Sequence, residues 1–244
     1  MSPREIARGL RFAAPQALTA LRIVLAMWAI QLASGGNPSG AARILLFGLA
    51  TDALDGACAR RLGVVTDFGK LFDFFADYLY FVLAPAVISF ALAPAGALRT
   101  FLLATPCVFA AMRYARKAAL SETESGGIPG SPGVPTVAYA SFVIACALLA
   151  RENAIEPRTL HLALACGAPA LALLMTARTR YPKLSVYPAV LAPVLLGLVL
   201  MPFVLTAALA EATLALIAVY VLIGPWLAEQ PAPRSMRCRL PRNS

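Results

Sequence analysis

Residues 52–77 read DALDGACARRLGVVTDFGKLFDFFAD, and this stretch holds all five aspartates of the 244-residue chain. It is flanked by apolar runs that are long enough to enter a lipid bilayer. One carboxylate near the bilayer centre costs about 2.5–3.5 kcal/mol, so four uncompensated ones would cost roughly 10–14 kcal/mol. Because this equals the whole stability of a typical protein, such a cluster persists only if something binds it. A hard divalent cation is the first candidate.

The composition is that of a membrane protein. Hydrophobic residues make up 60% of the chain and the mean hydropathy is +0.75, whereas soluble domains are about 45–50% apolar. The net charge is +9, but the basic residues lie in short segments between apolar runs. This pattern indicates membrane orientation and contact with anionic lipid headgroups. The chain shows no Lys/Arg array with interleaved aromatic residues, so we predict no nucleic-acid partner.

Eight apolar runs of spanning length are separated by turn-forming residues. We predict transmembrane helices at 17–34, 39–61, 68–92, 96–118, 134–151, 158–177, 185–207 and 210–228. The fold class is therefore an all-α integral membrane protein, with a single transmembrane domain over 1–229 that opens with a basic interfacial segment at 1–16. We expect the basic tail at 230–244 to be disordered in the cytoplasm.

The basic residues predict the orientation of this bundle. With the N-terminus in the cytoplasm, 16 of the 21 Lys and Arg residues fall in cytoplasmic segments and 4 in external ones. This bias follows the positive-inside rule. We therefore expect a multi-pass protein of the cytoplasmic membrane, with both termini and the aspartate window at the cytoplasmic side.

Helical spacing gathers the aspartates on two faces. Asp52 and Asp55 are three positions apart, and Asp73 and Asp77 are four apart, so each pair shares one helix face. The segment between the pairs is short enough to make the two helices antiparallel neighbours, so that four carboxylates can converge. Only Arg60 is a cation on the same faces. Salt bridges within the window therefore cannot neutralise the charges of four carboxylates.

Oxygen ligands of this kind select Mg²⁺, Mn²⁺ or Ca²⁺ over zinc or copper. A pair of such ions would neutralise a diphosphate and stabilise both the attacking and the leaving oxygen. Asp67 lies off the two faces, and we expect it to be a solvated loop or cap residue.

The window resembles the signature of the CDP-alcohol phosphotransferases, D-x-x-D-G-x-x-A-R-(x8)-G-x-x-x-D-x-x-x-D, at every defined position. The resemblance implies that a CDP-linked lipid, CDP-diacylglycerol, donates its phosphatidyl group to the hydroxyl of a small alcohol while CMP leaves. It also implies Mg²⁺ or Mn²⁺ as cofactor, with two ions, a six-helix core followed by two further helices, and a homodimer.

The same resemblance assigns roles to individual positions. It implies that Asp52, Asp55, Asp73 and Asp77 bind the metal, with Asp77 also acting as general base. It implies a second set that borders the cytidine diphosphate: Gly56, Ala59, Arg60, Thr66 and Gly69.

The acceptor alcohol is read from weaker matches. The runs Ala84-Pro85-Ala86, Arg113-Tyr-Ala-Arg116 and Tyr220 to Pro225 resemble bacterial-type phosphatidylserine synthases, so L-serine is the favoured acceptor. Phe74 departs from that subfamily, which has Ser there, and the stretch 18–22 looks more like glycerol-phosphate or inositol-phosphate transferases. Serine, glycerol 3-phosphate and inositol phosphate therefore stay open.

Three basic residues have two interpretations. Arg113, Arg116 and Lys117 could hold the carboxylate or phosphate of the acceptor at the cytoplasmic mouth. They could equally be charges that only set the topology.

Two other function classes remain. A membrane prenyltransferase also uses aspartates, Mg²⁺ and a diphosphate, but it usually needs a second acidic motif, and the chain has no aspartate after residue 77. A cation or proton transporter is the non-enzyme alternative, although transporters usually distribute polar groups over several helices.

Overall fold

The computed structural model describes residues 3–48, 66–121, 130–182 and 207–229. Within those ranges the chain forms helices joined by short turns, together with two strands of three residues. The helices are α1 (Pro3–Ser34), α2 (38–48), α3 (Asp67–Leu92), α4 (Ala97–Ser121), α5 (Thr136–Arg151), α6 (Pro157–Met175) and α7 (Ala207–Glu229). The strands are β1 (Gly130–Pro132) and β2 (Arg180–Pro182).

The helical fold class is confirmed for this part of the chain. Three described helical segments are long and apolar enough to cross a membrane, namely Gln16–Ser34, Asp67–Leu92 and Pro157–Met175. The ends of the described helices lie close to the predicted ones, although α1 already begins at Pro3 and so includes most of the predicted interfacial segment. The predicted helix at 185–207, apart from its last residue, lies outside the described residues, as do the part of the predicted helix at 39–61 that follows residue 48 and the basic tail at 230–244. The total of eight spans and the cytoplasmic position of the termini stay predictions.

The turn between α1 and α2 follows from its sequence, Gly35-Gly36-Asn37-Pro38. Gly36 adopts a φ of +84°, a conformation that glycine reaches without steric cost, and the turn ends α1. Asn37 caps the amino end of α2, because its Oδ1 accepts a hydrogen bond of 2.8 Å from the Gly40 amide. Pro38 suits the first helical position, where an amide proton would have no helical partner.

Helix α3 is the centre of the described bundle and packs against α1, α4 and α5. A π-helical turn, Leu79–Leu83, interrupts it, and the Ala84 amide there donates to the Leu79 carbonyl. Pro85 explains the interruption, since proline has no amide proton and its ring clashes with the carbonyl four residues earlier. Membrane helices accommodate such a proline by a local π adjustment, and α3 continues to Leu92.

The two strands attach the segment before α5 to the segment after α6. They pair antiparallel, with Ser131 opposite Tyr181. The Gly133 amide adds a hydrogen bond of 2.8 Å to the Thr179 carbonyl, and the Val134 amide one of 3.0 Å to the Leu174 carbonyl. The start of α5 is therefore held at the carboxyl end of α6.

Gly133 is the position in this junction that tolerates substitution least. Its φ is +73°, and a Cβ there would lie 2.1 Å from the Met175 carbonyl oxygen, a backbone atom that cannot move aside. We expect Gly133→Ala to lower the midpoint of thermal unfolding in detergent clearly. Gly36→Ala is the matched control, because Gly36 has a similar φ and no atom within 4 Å of the added Cβ. The control should lose only the stability that the backbone strain costs, on the order of 1–3 kcal/mol. Equal losses in the two variants would contradict this account of the junction.

Candidate active site

The first turn of α3 is capped by a side chain. Thr66 precedes the helix in an extended conformation, and its Oγ1 accepts a hydrogen bond of 3.1 Å from the Gly69 amide. Asp67 is exposed and pairs with Lys70 at 2.8 Å, which agrees with its predicted solvated position. Thr66 and Gly69, two of the predicted cytidine diphosphate neighbours, therefore lie together at the amino end of α3.

One turn further on, apolar and charged side chains lie on different sides of α3. Phe68, Leu71 and Phe75 are exposed, as expected for the lipid-facing side of a membrane helix. Asp73 and Asp77, which we call the acidic face, point towards α1 instead. Asp73 and Asp77 share one helix face as predicted, while the convergence of all four carboxylates stays a prediction.

Both carboxylates of the acidic face bind one arginine. The Arg22 side chain is completely buried, and its two terminal nitrogens donate to Oδ1 of Asp73 and to Oδ1 of Asp77, the latter at 2.7 Å. The Asp77 side chain is 17% exposed and that of Asp73 is 41% exposed. The rigid guanidinium fork suits this double contact, which a lysine could not reproduce.

Arg22 is the residue that the sequence argument missed. That argument counted Arg60 alone as a cation near the acids, and the structure adds a second cation from another helix. A signal was present, because an arginine inside a spanning segment nearly always pairs with another group. Spacing within the aspartate window could not identify it, since Arg22 is 51 positions from Asp73.

The predicted metal site stays a prediction. Asp73 and Asp77 supply only carboxylate oxygens, the ligands that Mg²⁺ and Mn²⁺ prefer. Within the described ranges no group of three or more acidic, His or Cys side chains could hold an ion. The remaining predicted ligands and cytidine diphosphate neighbours lie outside the described residues: Asp52, Asp55, Gly56, Ala59 and Arg60.

The basic residues of α4 contact the carboxyl end of α6. Arg116 donates to the Thr176 carbonyl at 2.7 Å, and Arg113 to the Met175 carbonyl at 3.3 Å. Both carbonyls lie at the negative end of the α6 dipole, where cations stabilise a helix. The sequence argument considered acceptor binding and topology for these arginines and did not consider this capping contact.

Aromatic side chains of α3 contact the basic end of α4. Phe74, the neighbour of Asp73, lies 5.8 Å from the Tyr114 ring, and Tyr78 lies 6.4 Å from the same ring. The Lys117 ammonium lies 4.7 Å from the centre of the Phe74 ring, within the range of a cation–π contact. Phe74 and Tyr78, each next in sequence to a predicted metal ligand, thus form the contact of α3 with α4.

Comparison with known proteins shows the family of this chain. Residues 12–177 match the family model of the CDP-alcohol phosphatidyltransferases. Two relatives from Helicobacter pylori, strains 26695 and J99, are each named CDP-diacylglycerol--serine O-phosphatidyltransferase. Each is 32% identical to this chain over 173 residues, which is 69% of this chain and 71% of the relative.

The chain belongs to the CDP-alcohol phosphatidyltransferase family. The prediction of a membrane-bound phosphatidyltransferase of phospholipid synthesis is therefore confirmed. The matched segment begins before Arg22 and ends just after α6, so it contains the acidic face, Arg22 and the basic end of α4.

The Arg22 contact can be tested through stability. Arg22→Ala removes this cation from the largely buried Asp77, and breaking a buried ion pair in this way costs about 3–5 kcal/mol. We expect a lower midpoint of thermal unfolding in detergent. Adding Asp73→Asn and Asp77→Asn to the same chain should restore part of the loss, because the uncompensated charges are then gone.

Arg22→Lys is the control that keeps the charge without the fork, and we expect an intermediate stability for it. If the triple variant were no more stable than Arg22→Ala, the two carboxylates would not be what Arg22 compensates.

Proposed function

We propose that this protein transfers the phosphatidyl group of CDP-diacylglycerol to a small alcohol, with L-serine as the favoured acceptor. The observation that carries the proposal is the acidic face held by buried Arg22 inside a chain that belongs to the phosphatidyltransferase family. The relatives named as serine phosphatidyltransferases support serine. Glycerol 3-phosphate and inositol phosphate are the alternative acceptors.

The proposed reaction is a substitution at phosphorus. The acceptor oxygen forms a bond to the phosphorus that carries diacylglycerol, and the diphosphate bond to CMP breaks with its electron pair going to CMP. The hydroxyl proton goes to Asp77 as general base. Arg22 donates a hydrogen bond of 2.7 Å to Asp77 and so fixes the position of this carboxyl group. Bound Mg²⁺ or Mn²⁺, proposed as two ions, would supply charge neutralisation of the diphosphate.

The remaining residues have supporting roles in this proposal. Asp52, Asp55 and Asp73 complete the metal ligands with Asp77. Gly56, Ala59, Arg60, Thr66 and Gly69 border the nucleotide, and the helix amino end at Gly69 suits a phosphate. Arg113, Arg116 and Lys117 face the acceptor. The backbone contacts of the two arginines support a fixed placement of their guanidinium groups.

The setting of the site is also part of the proposal. We place the enzyme in the cytoplasmic membrane, with the site and both termini on the cytoplasmic side, because the basic residues are biased in that way. The homodimer and the single domain over 1–229 follow from the family resemblance and from the run of apolar segments. The family match favours this reaction over a prenyltransferase or a transporter.

The acceptor assay tests the function directly. Purified protein in detergent is incubated with labelled CDP-diacylglycerol and Mn²⁺ or Mg²⁺, and serine, glycerol 3-phosphate and inositol phosphate are added in separate reactions. We expect CMP release with serine and its loss when EDTA removes the metal. If CMP were released only with another acceptor, that acceptor would replace serine in the proposal. If none of the three led to CMP release, the proposed class of acceptor would be refuted.

The general base is tested by substitution. Asp77→Asn should reduce turnover by roughly 10²–10⁴-fold, the usual contribution of a positioned base, while binding of the nucleotide is retained. Asp67→Asn is the matched control in the same window, because Asp67 is exposed and lies off the acidic face. Normal turnover of Asp77→Asn would remove the base assignment.

A further inference from the structure

Tyr80 is a completely buried tyrosine whose hydroxyl lies against the backbone of α2. It accepts a hydrogen bond of 2.8 Å from the Gly48 amide. It donates towards the carbonyl oxygens of Leu45 at 2.5 Å and Ile44 at 2.9 Å. In an α-helix the Gly48 amide and the Ile44 carbonyl belong to the same rung of the hydrogen-bond ladder. The hydroxyl has therefore entered the ladder of α2, a situation that bends helices.

Gly48 makes this approach possible. A Cβ at residue 48 would lie 2.1 Å from Cζ of Tyr80 and 2.2 Å from its hydroxyl oxygen. Neither atom could move away, because the Tyr80 side chain is fully enclosed in the core. Gly48 has no side chain, and the space this leaves is occupied by the hydroxyl of Tyr80.

The position of Tyr80 on α3 relates this contact to the acidic face. Tyr80 follows Asp77 by three residues and Asp73 by seven, a spacing that keeps all three on one side of a helix. It also lies in the π-helical turn Leu79–Leu83, and π turns inside α-helices frequently occur at functional sites. The same side of α3 therefore binds Arg22 of α1 and the backbone of α2.

The contact lies next to the other acidic segment along the sequence. Asp52 follows Gly48 by four positions, and Asp55 follows it by seven. In the helix that the sequence predicts over 39–61, these spacings correspond to one and two turns on the same face. Residues 49–65 lie outside the described ranges, and Gly48 is the last described residue of α2.

We propose that Tyr80 is a positioning residue, whose hydroxyl fixes α3 against α2 at Gly48 and so holds the acidic face of α3 in position for a divalent ion. This inference rests on the proposed function, because the position of the acidic face matters in this way only if Asp73 and Asp77 bind divalent ions. Residues that orient metal ligands without touching the metal typically change affinity or activity 10–100-fold when they are replaced. A tyrosine that only fills the core would affect stability and leave metal affinity unchanged.

The test compares two buried tyrosines by their metal affinity. Tyr80→Phe removes the hydroxyl and keeps the ring. Tyr139→Phe is the matched control, because Tyr139 is equally buried and its hydroxyl lies beside Ser89 of α3. Mn²⁺ binding is titrated by electron paramagnetic resonance in detergent, and turnover and thermal unfolding are measured on the same samples. We expect Tyr80→Phe to weaken Mn²⁺ binding about 10-fold or more, with Tyr139→Phe close to the wild type.

A second variant covers the case in which Tyr80→Phe does not fold. Gly48→Ala displaces the hydroxyl from α2 through the added Cβ, and we expect it to weaken Mn²⁺ binding in the same direction. Wild-type Mn²⁺ affinity in the folded variant would overturn the inference, and so would an equal loss in Tyr139→Phe. The proposed function fails by a different result, the absence of metal-dependent CMP release from the wild-type protein.

Discussion

The ion pair between Arg22 and the acidic face is the contact on which the described site depends. A guanidinium and two carboxylates are each costly inside an apolar bundle, and only a close fit between them offsets the lost hydration. Since Arg22 belongs to α1 and both aspartates to α3, the fit determines how these two helices lie against each other. The same contact fixes the positions of the two carboxyl groups, on which the proposed metal binding and proton transfer depend.

Helix α3 combines several functions because its sides differ in chemistry. One side carries the acidic face and Tyr80, and it meets α1 and α2. Another side carries Phe68, Leu71 and Phe75, and it is exposed where lipid is expected. Phe74 contacts Tyr114 of α4. A helix of this kind cannot rotate or slide without breaking contacts on several sides, so the carboxylates are held on a rigid element.

The sequence was most informative where chemistry depends on spacing within one segment. Four-residue spacing placed Asp73 and Asp77 on one face, and the structure confirms it. Gly-Gly-Asn-Pro indicated the turn after α1, and proline or glycine also marks the breaks before α4, α5 and α6. The signature in the aspartate window indicated the family, and the family match confirms it. All of these features depend on residues that are close together in the chain, so they can be predicted from the sequence.

Contacts between distant segments could not be predicted in the same way. Arg22 and Asp73 are 51 positions apart, and Gly48 and Tyr80 are 32 apart. The capping of α6 by Arg113 and Arg116 also joins segments that no period connects. The sequence by itself determined that this is a membrane phosphatidyltransferase with paired carboxylates. The tertiary structure decided which cation compensates those carboxylates and which hydroxyl holds the neighbouring helix, because such partners are chosen by helix packing in three dimensions.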